Sequence, residues 1–292
     1  MFHDCARRYY YRHYGSWGWW EDDADDRTRE INVLKKLTNR WALAGTIVHQ
    51  VVADTLNRHR YDAKIDLDEA KQDALLLLRE GFKQSRAGEY RHNKQAVGLC
   101  EHEYQEEVTD KEWEGIRDRI FRCLDNFFDS RVFNYIRETK IENWLPVDAM
   151  DSFEFETMKI YVAPDFAIRN HRGNAILMDW KTGRVGDQGD ILQIVCYGLY
   201  AKAKWGMDPA RAIGELHYLL AGDTRQVSLD QETLDEGQNQ MRGSIQAMKE
   251  LLWDPVENHG REEDFPRTEN LGMCRRCNFR RVCRPELAAP PE

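Results

Sequence analysis

Residues 164–183 read PDFAIRNHRGNAILMDWKTG, and no other stretch constrains the fold as much. PDFAI and AILMDWK are apolar-rich and of strand length, while the RNHRGN between them is polar and carries a glycine, as a turn does. The segment therefore reads as a β-hairpin with strands over about 164–169 and 174–181. Side chains two apart on a strand point to one face, so Asp179 and Lys181 project together, and Asp165 joins them from the neighbouring strand. Two carboxylates and an ammonium gathered at one place suit metal-dependent phosphodiester hydrolysis. The carboxylates can hold a hard divalent cation through oxygen, and the lysine can orient the attacking water or neutralise charge building on a phosphate. The same residues can also form a plain solvated ion pair, so the surrounding pattern decides between the two.

Periodicity organises the rest of the chain. From about 30 to 60 the pattern is helical: WALAGTIVHQVVADTL places Trp41, Ala44, Val48, Val51 and Val52 near one face. Two further amphipathic helices are expected over 66–87 and 110–137, separated by the polar loop SRAGEYRHNKQ. Phe121, Leu124, Phe127 and Phe128 form a buried stripe on the second. A strand over 152–162 leads into the hairpin, and a helix follows over 189–205. Two more strands lie in AIGELHYLLAG and TRQVSL, then a long helix over 231–252 and a loop-like tail. Helices ahead of a sheet, a crossover helix and further strands predict an α/β fold with a mixed sheet. The expected organisation is one domain over 1–292 with a helical insertion over 60–150.

Charge and cysteine usage narrow the function classes. A formal net charge of −9 excludes a general polyanion-coating protein, so any nucleic-acid contact must be a local basic surface. There is no run of about 20 apolar residues to cross a membrane. The opening MFHDCARRYYYRHYGSW lacks the apolar stretch of a secretory signal. Seven cysteines, an odd number, do not suggest a disulfide framework, and a reducing, cytoplasmic location is expected. No GxxxxGK(S/T) loop is present, so this chain is not itself a nucleotide-driven motor.

His49 lies in GTIVHQ on an otherwise apolar helical face, where it is either a core histidine or a metal ligand. Gln193 and Tyr197 stand four apart on the helix after the hairpin, so they share a face. The order Gly45–His49 (GxxxH), Pro164–Asp165 (PD), Asp179–Lys181 (DxK) and Gln193–Tyr197 (QxxxY) resembles the PD-(D/E)xK nuclease superfamily, in its RecB-like branch. The resemblance runs from Phe2 to Arg284. It implies a restriction-endonuclease-like mixed β-sheet core flanked by helices. It also implies that His49, Asp165 and Asp179 ligate Mg²⁺ or Mn²⁺, that Lys181 assists the attacking water, and that Gln193 and Tyr197 support the site and the DNA backbone. One departure stands out: the segment before the first aspartate usually carries a glycine, and here it reads YVAPD.

Cys274, Cys277 and Cys283 have the spacing C-x2-C-x5-C, and Cys5 lies in FHDCARRYYY at the opposite end. Three clustered cysteines point to a metal that needs a distant fourth ligand, either structural zinc or an iron–sulfur cluster. Cys100, Cys123 and Cys196 fall in or beside helices and read as plain buried thiols. An upstream cysteine closed by C-x2-C-x5-C after the nuclease core resembles the iron–sulfur RecB-like nucleases, among them the CRISPR-associated RecB-like exonucleases and the AddB nuclease domain. That likeness implies a 4Fe–4S cluster on Cys5, Cys274, Cys277 and Cys283, an iron–sulfur clasp joining segments 1–20 and 265–285. Arg7, Arg8, Arg275, Arg276 and Arg280 surround these cysteines, interleaved with aromatic residues, and are the expected DNA contacts. The resemblance implies a DNA exonuclease acting on single-stranded ends in CRISPR adaptation, DNA repair or anti-phage defence. A helicase or CRISPR integrase in trans is the expected partner. The rivals are a non-catalytic DNA-binding or scaffolding subunit that keeps the fold, and a zinc-clasped structural protein.

Overall fold

The computed structural model of the chain describes residues 1–63, 66–146, 150–186 and 188–288. Residues 64–65 and 147–149 of the expected insertion, and the last four of the expected domain, lie outside the described residues. In chain order come α1 (Ala6–His13), α2 (Asp26–Leu34), α3 (Arg40–Arg60), α4 (Leu67–Arg86), α5 (Cys100–Glu103), α6 (Asp110–Phe128) and α7 (Arg131–Glu138). Then follow β1 (Asp151–Phe155), β2 (Met158–Val162), β3 (Phe166–Arg169), β4 (Ala175–Lys181), α8 (Gln188–Trp205), β5 (Ile213–Tyr218) and β6 (Asp223–Ser228). The chain continues through α9 (Gln231–Lys249), β7 (Leu252–Asp254), β8 (His259–Gly260), α10 (Leu271–Arg275) and α11 (Arg280–Cys283). Among the described residues no helix is long and apolar enough to cross a membrane.

The chain forms two compact units. Ala44–Leu77 and Glu114–Arg242 make a sheet unit; Met1–Leu43, Leu78–Trp113 and Gly243–Glu292 make a terminal unit. The helical stretch expected as one insertion over 60–150 is accordingly divided between them.

In the sheet unit the strand order is β3-β4-β5-β6, with β4 and β5 parallel and the outer pairs antiparallel, so the sheet is mixed as expected. Every residue of β4 from Ala175 to Trp180 is buried, the mark of a central strand covered on both faces. In β6 only Val227 is buried, and its polar DTRQVS sequence makes a poor template for another strand. A parallel pair cannot be joined by a tight turn, and α8 supplies the crossover. A Cβ at Gly214 of β5 would fall 2.1 Å from Ile194 Cγ2, so the glycine lets α8 lie close on the sheet.

Two expectations are corrected in this unit. The strand over 152–162 is a hairpin of β1 and β2, reversed where Glu156 takes a left-handed conformation (φ 54°). The helix over 110–137 is α6 and α7, because the Ser130 hydroxyl accepts the Phe133 N–H and starts a new helix. Leu124 and Phe127 are fully buried, while Phe121 and Phe128 are half-buried.

The core of the terminal unit includes Tyr11, Ile31, Leu34, Leu37, Tyr90 and Phe279, contributed by all three of its stretches. The helical pattern over 30–60 is broken here. α2 stops at Leu34, Thr38 pairs with Leu99, and the Asn39 side chain accepts the Ala42 N–H to open α3. Trp41, expected on the apolar face, is 50% exposed in that first turn, with the Arg40 guanidinium 5.2 Å from its ring centre. Buried Glu103 accepts from Tyr90, Arg91 and Arg281 and so ties α5 to α11. Glu262 accepts from Arg7 (2.9 Å), Tyr11 (2.7 Å) and Arg27 (2.9 Å), tying α1 to the tail. Burial works against the Glu262 charge, but the bonds from Tyr11 and Arg27 outweigh it and hold the carboxyl below its ordinary range.

Candidate active site and cysteine pocket

Asp165, Asp179, Lys181, Gln193, Tyr197 and His49 all belong to the sheet unit and meet at the end of β4. Asp179 and Lys181 share one face of β4, while Trp180 between them turns to the other and packs against Phe127 and His217. Asp165 precedes β3, which pairs with β4 from Phe166 opposite Met178. Its Oδ2 accepts the Trp180 N–H at 2.7 Å, so the carboxylate caps the open end of the ladder and is fixed against its neighbour strand.

His49 Nδ1 lies 2.7 Å from Asp165 Oδ1. A carboxylate only accepts, so Nδ1 is the donor, and Nε2 is the nitrogen left for a cation. Burial works against the imidazolium, yet the hydrogen bond and charge of Asp165 outweigh it and raise the His49 pKa. The glycine of GxxxH has a steric reason: a Cβ at Gly45 would stand 2.9 Å from Thr182 Oγ1, just beyond β4.

The α8 face explains the QxxxY pair. Gln193 donates through Nε2 to Asp179 Oδ1 (2.9 Å) and to the Tyr197 hydroxyl (2.6 Å), and its Oε1 accepts from Lys181. The Tyr197 hydroxyl stands 3.0 Å from both Asp179 Oδ1 and the carbonyl of Ala163, in the YVAPD segment. Asp179 Oδ1 is thus fully engaged. Oδ2 is buried and lies 2.9 Å from Lys181 Nζ as an ion pair, yet accepts no well-directed hydrogen bond. Burial first, and the Asp165 charge second, raise the Asp179 pKa, opposed by Lys181. Burial works against the Lys181 charge, but Asp179 and Asp190 outweigh it and raise that pKa.

Asp190 was not anticipated. It stands 3.3 Å from Lys181 Nζ and accepts from the Tyr218 hydroxyl at 2.9 Å. The available signal was helical spacing, since Asp190, Gln193 and Tyr197 recur at three and four residues on one face.

The buried Asp179 Oδ2, met by Lys181 Nζ at 2.9 Å, and the Asp165 carboxylate whose charge it feels make an oxygen-donor pair of the kind that fits a hard divalent cation. In this arrangement Lys181 pairs with Asp179 while His49 Nδ1 donates to Asp165. Among the described residues no group of three His, Cys, Asp or Glu side chains is arranged to hold a metal ion as it stands. Beside the acids a groove is lined by His49, Asn57, Arg60, Trp144, Pro164 and Asp165, which leaves the site open to an extended substrate.

In the terminal unit Cys5, Cys274, Cys277 and Cys283 line a single pocket. Cys100 and Cys123 are buried elsewhere, and burial raises their thiol pKa values to about 12 and about 11. The arginines divide by placement. Arg275 and Arg276 are exposed and Arg8 is half-buried on the pocket wall. Arg7 is 9% exposed and holds Glu262 and the Phe265 carbonyl, while Arg280 is 5% exposed and holds Glu106. The expectation that Arg7 and Arg280 face DNA is therefore corrected: both point into the protein, where acidic partners offset the cost of burying a charge.

The family model of the PD-(D/E)XK nuclease superfamily matches the chain over residues 1–284. No curated protein matches it significantly.

Proposed function

The chain belongs to the PD-(D/E)XK nuclease superfamily, and from that premise we propose that it is a Mg²⁺- or Mn²⁺-dependent DNA exonuclease acting on single-stranded ends. The observation that carries this reading is the Asp179 carboxylate. Gln193 and Tyr197 fix one oxygen, the other is buried with only Lys181 Nζ beside it at 2.9 Å, and the Asp165 charge acts on the same carboxyl. Asp165 and Asp179 would hold the cation, with His49 Nε2 in reach or with His49 orienting Asp165 through Nδ1. When bound, the metal polarises the scissile phosphate and makes water a competent nucleophile near neutral pH.

The remaining work falls to the chain itself. Lys181 presents its ammonium from the same strand face as Asp179, where it can steady the attacking water or the charge gathering on phosphate oxygens. Gln193 aims that lysine by accepting from Nζ while donating to Asp179, so the acid and the cation are positioned by one amide. In the groove beside Asp165, Arg60 supplies positive charge and Trp144 an aromatic face, which suits a single strand. Exposed Arg275 and Arg276 are proposed as further phosphate contacts.

The four-cysteine pocket is proposed to hold a 4Fe–4S cluster. Four cysteines, with no Asp, Glu or His in the lining, are the all-thiolate ligand set that such a cluster takes. The setting we assign is CRISPR adaptation, DNA repair or anti-phage defence, with a helicase or integrase in trans delivering the strand.

The deciding experiment is cleavage of labelled single-stranded DNA with Mg²⁺ or Mn²⁺. Lys181→Ala and Asp179→Ala are each expected to lower the rate by at least about 100-fold without loss of helical signal. Unchanged cleavage in either variant would remove these residues from the site. A wild type that binds DNA but fails to cleave it in the presence of either divalent ion would instead be a non-catalytic subunit.

A further inference from the structure

We infer that Arg8, Arg280 and Arg284 form the hydrogen-bond donor shell of the four-cysteine centre and hold its reduction potential up. This rests on the iron–sulfur reading above. Arg8, Arg267, Arg280 and Arg284 line the pocket together with Cys5, Cys274, Cys277 and Cys283, and the lining includes no Asp or Glu. Several of the guanidinium nitrogens are buried without any hydrogen-bond partner: Nε of Arg8, Nε and Nη1 of Arg280, and Nε of Arg284.

Folded proteins leave few buried donors unsatisfied, because each loses its water without replacement. Arg280 makes the case most sharply. It is 5% exposed, and only its Nη2 is engaged, by Glu106. The Tyr104 ring centre lies 3.5 Å from its guanidinium carbon. A ring stacked on the face of a guanidinium leaves the in-plane N–H bonds still in need of acceptors. With no carboxylate in the lining, with Tyr11 and Thr268 already engaged by Glu262 and Arg284, and with no cysteine sulfur in hydrogen-bonding geometry as the thiols stand, an anionic group held between the cysteines is what would answer these donors. A neutral thiol is a weak acceptor, whereas a thiolate or a cluster sulfide carries negative charge and answers four arginines well.

The electronic consequence follows from charge. A cubane cluster on four thiolates is dianionic when oxidised, and one-electron reduction adds a further negative charge without making or breaking a bond. N–H donors and guanidinium charges beside it stabilise the reduced form more than the oxidised one, which raises the potential. The centre is then a redox-responsive element as well as a staple between the two ends of the chain.

The test uses the full chain, purified without oxygen. Iron, sulfide and visible absorption measure loading, and a mediated dithionite titration followed by electron paramagnetic resonance gives the midpoint. Arg280→Met, Arg284→Gln and Arg8→Gln are each expected to remain loaded and to move the midpoint to more negative values. For Arg280→Met, the reduced-to-oxidised ratio at fixed potential should fall about tenfold, ~59 mV for a one-electron couple. Arg280→Lys, which keeps the charge but loses the fork of donors, should fall between. If Arg280→Met fails to fold for want of its Glu106 contact, the Arg8 and Arg284 variants carry the measurement. Equal loading with unmoved midpoints in those variants would overturn the donor shell and leave the cluster standing. A wild type with zinc, or with neither iron nor sulfide, would overturn the cluster reading itself.

Discussion

At Asp179 the two carboxylate oxygens have different surroundings. Oδ1 is held by Gln193 and Tyr197, while Oδ2 faces Lys181 without a directed hydrogen bond. Tyr197→Phe removes one of the two donors to Oδ1 and keeps the ring that packs in the sheet unit. It should cost about 1 kcal/mol of stability and roughly tenfold in cleavage rate or metal affinity. Cleavage measured against Mg²⁺ concentration separates those two effects, and a rate equal to the wild type at all concentrations would leave Tyr197 with a packing role only. Much at this scale was legible in the chain: Asp165, Asp179, Lys181, Gln193 and Tyr197 were named from strand alternation and from motif order, and they meet. Asp190 was not, because an acid on a helix face looks the same whether it meets solvent or a lysine from another element. Arg7 and Arg280 were misjudged for a similar reason. An arginine-rich segment reads as a phosphate surface until Glu262 and Glu106, distant in sequence, are placed beside it.

Among the elements, β4 and α8 carry the site, and their relation to α3 depends on one missing side chain. With only hydrogen at Gly45, α3 can approach Thr182 and bring His49 to Asp165. Gly45→Val should therefore cost about 1–3 kcal/mol through overpacking and slow cleavage by displacing the end of β4. Thr182→Ala in the same chain should recover part of both, as read by thermal melting and by rate. Failure of the double variant to recover either would mean that the close approach does not set the site's geometry. Periodicity located the long elements well, and it missed their interruptions. α6 and α7, α2 and α3, and the β1–β2 hairpin are each continuous in hydrophobic pattern and broken by a cap or a turn. A serine or asparagine hydroxyl or amide costs little inside a polar face, so its capping role shows only once the next N–H is in place.

Over the whole molecule, the terminal unit is assembled from three stretches that the chain visits at its start, middle and end. Its hub is Glu103, buried and shared by Tyr90, Arg91 and Arg281, with Arg91 and Arg281 also meeting Glu30. Glu103→Ala would leave Arg91 and Arg281 to Glu30 alone and the Tyr90 hydroxyl without its acceptor, and should destabilise the protein by about 1–3 kcal/mol in urea unfolding. A loss below about 1 kcal/mol would show the cluster to be no stronger than a surface ion pair. The sequence alone determined the class of fold, the central strand, the crossover helix and the residues of the nuclease motifs. All of these are written in short-range periodicity and spacing, which follow from helix and strand geometry. Family resemblance further led to the expectation that Cys5 joins three cysteines near the other end. Only the tertiary structure decided that these four share a pocket, that Arg8, Arg280 and Arg284 line it with unanswered donors, and that one Asp179 oxygen is held by Gln193 and Tyr197 while the other meets Lys181 alone. Those facts depend on which distant groups exclude water from one another, and no local pattern records that.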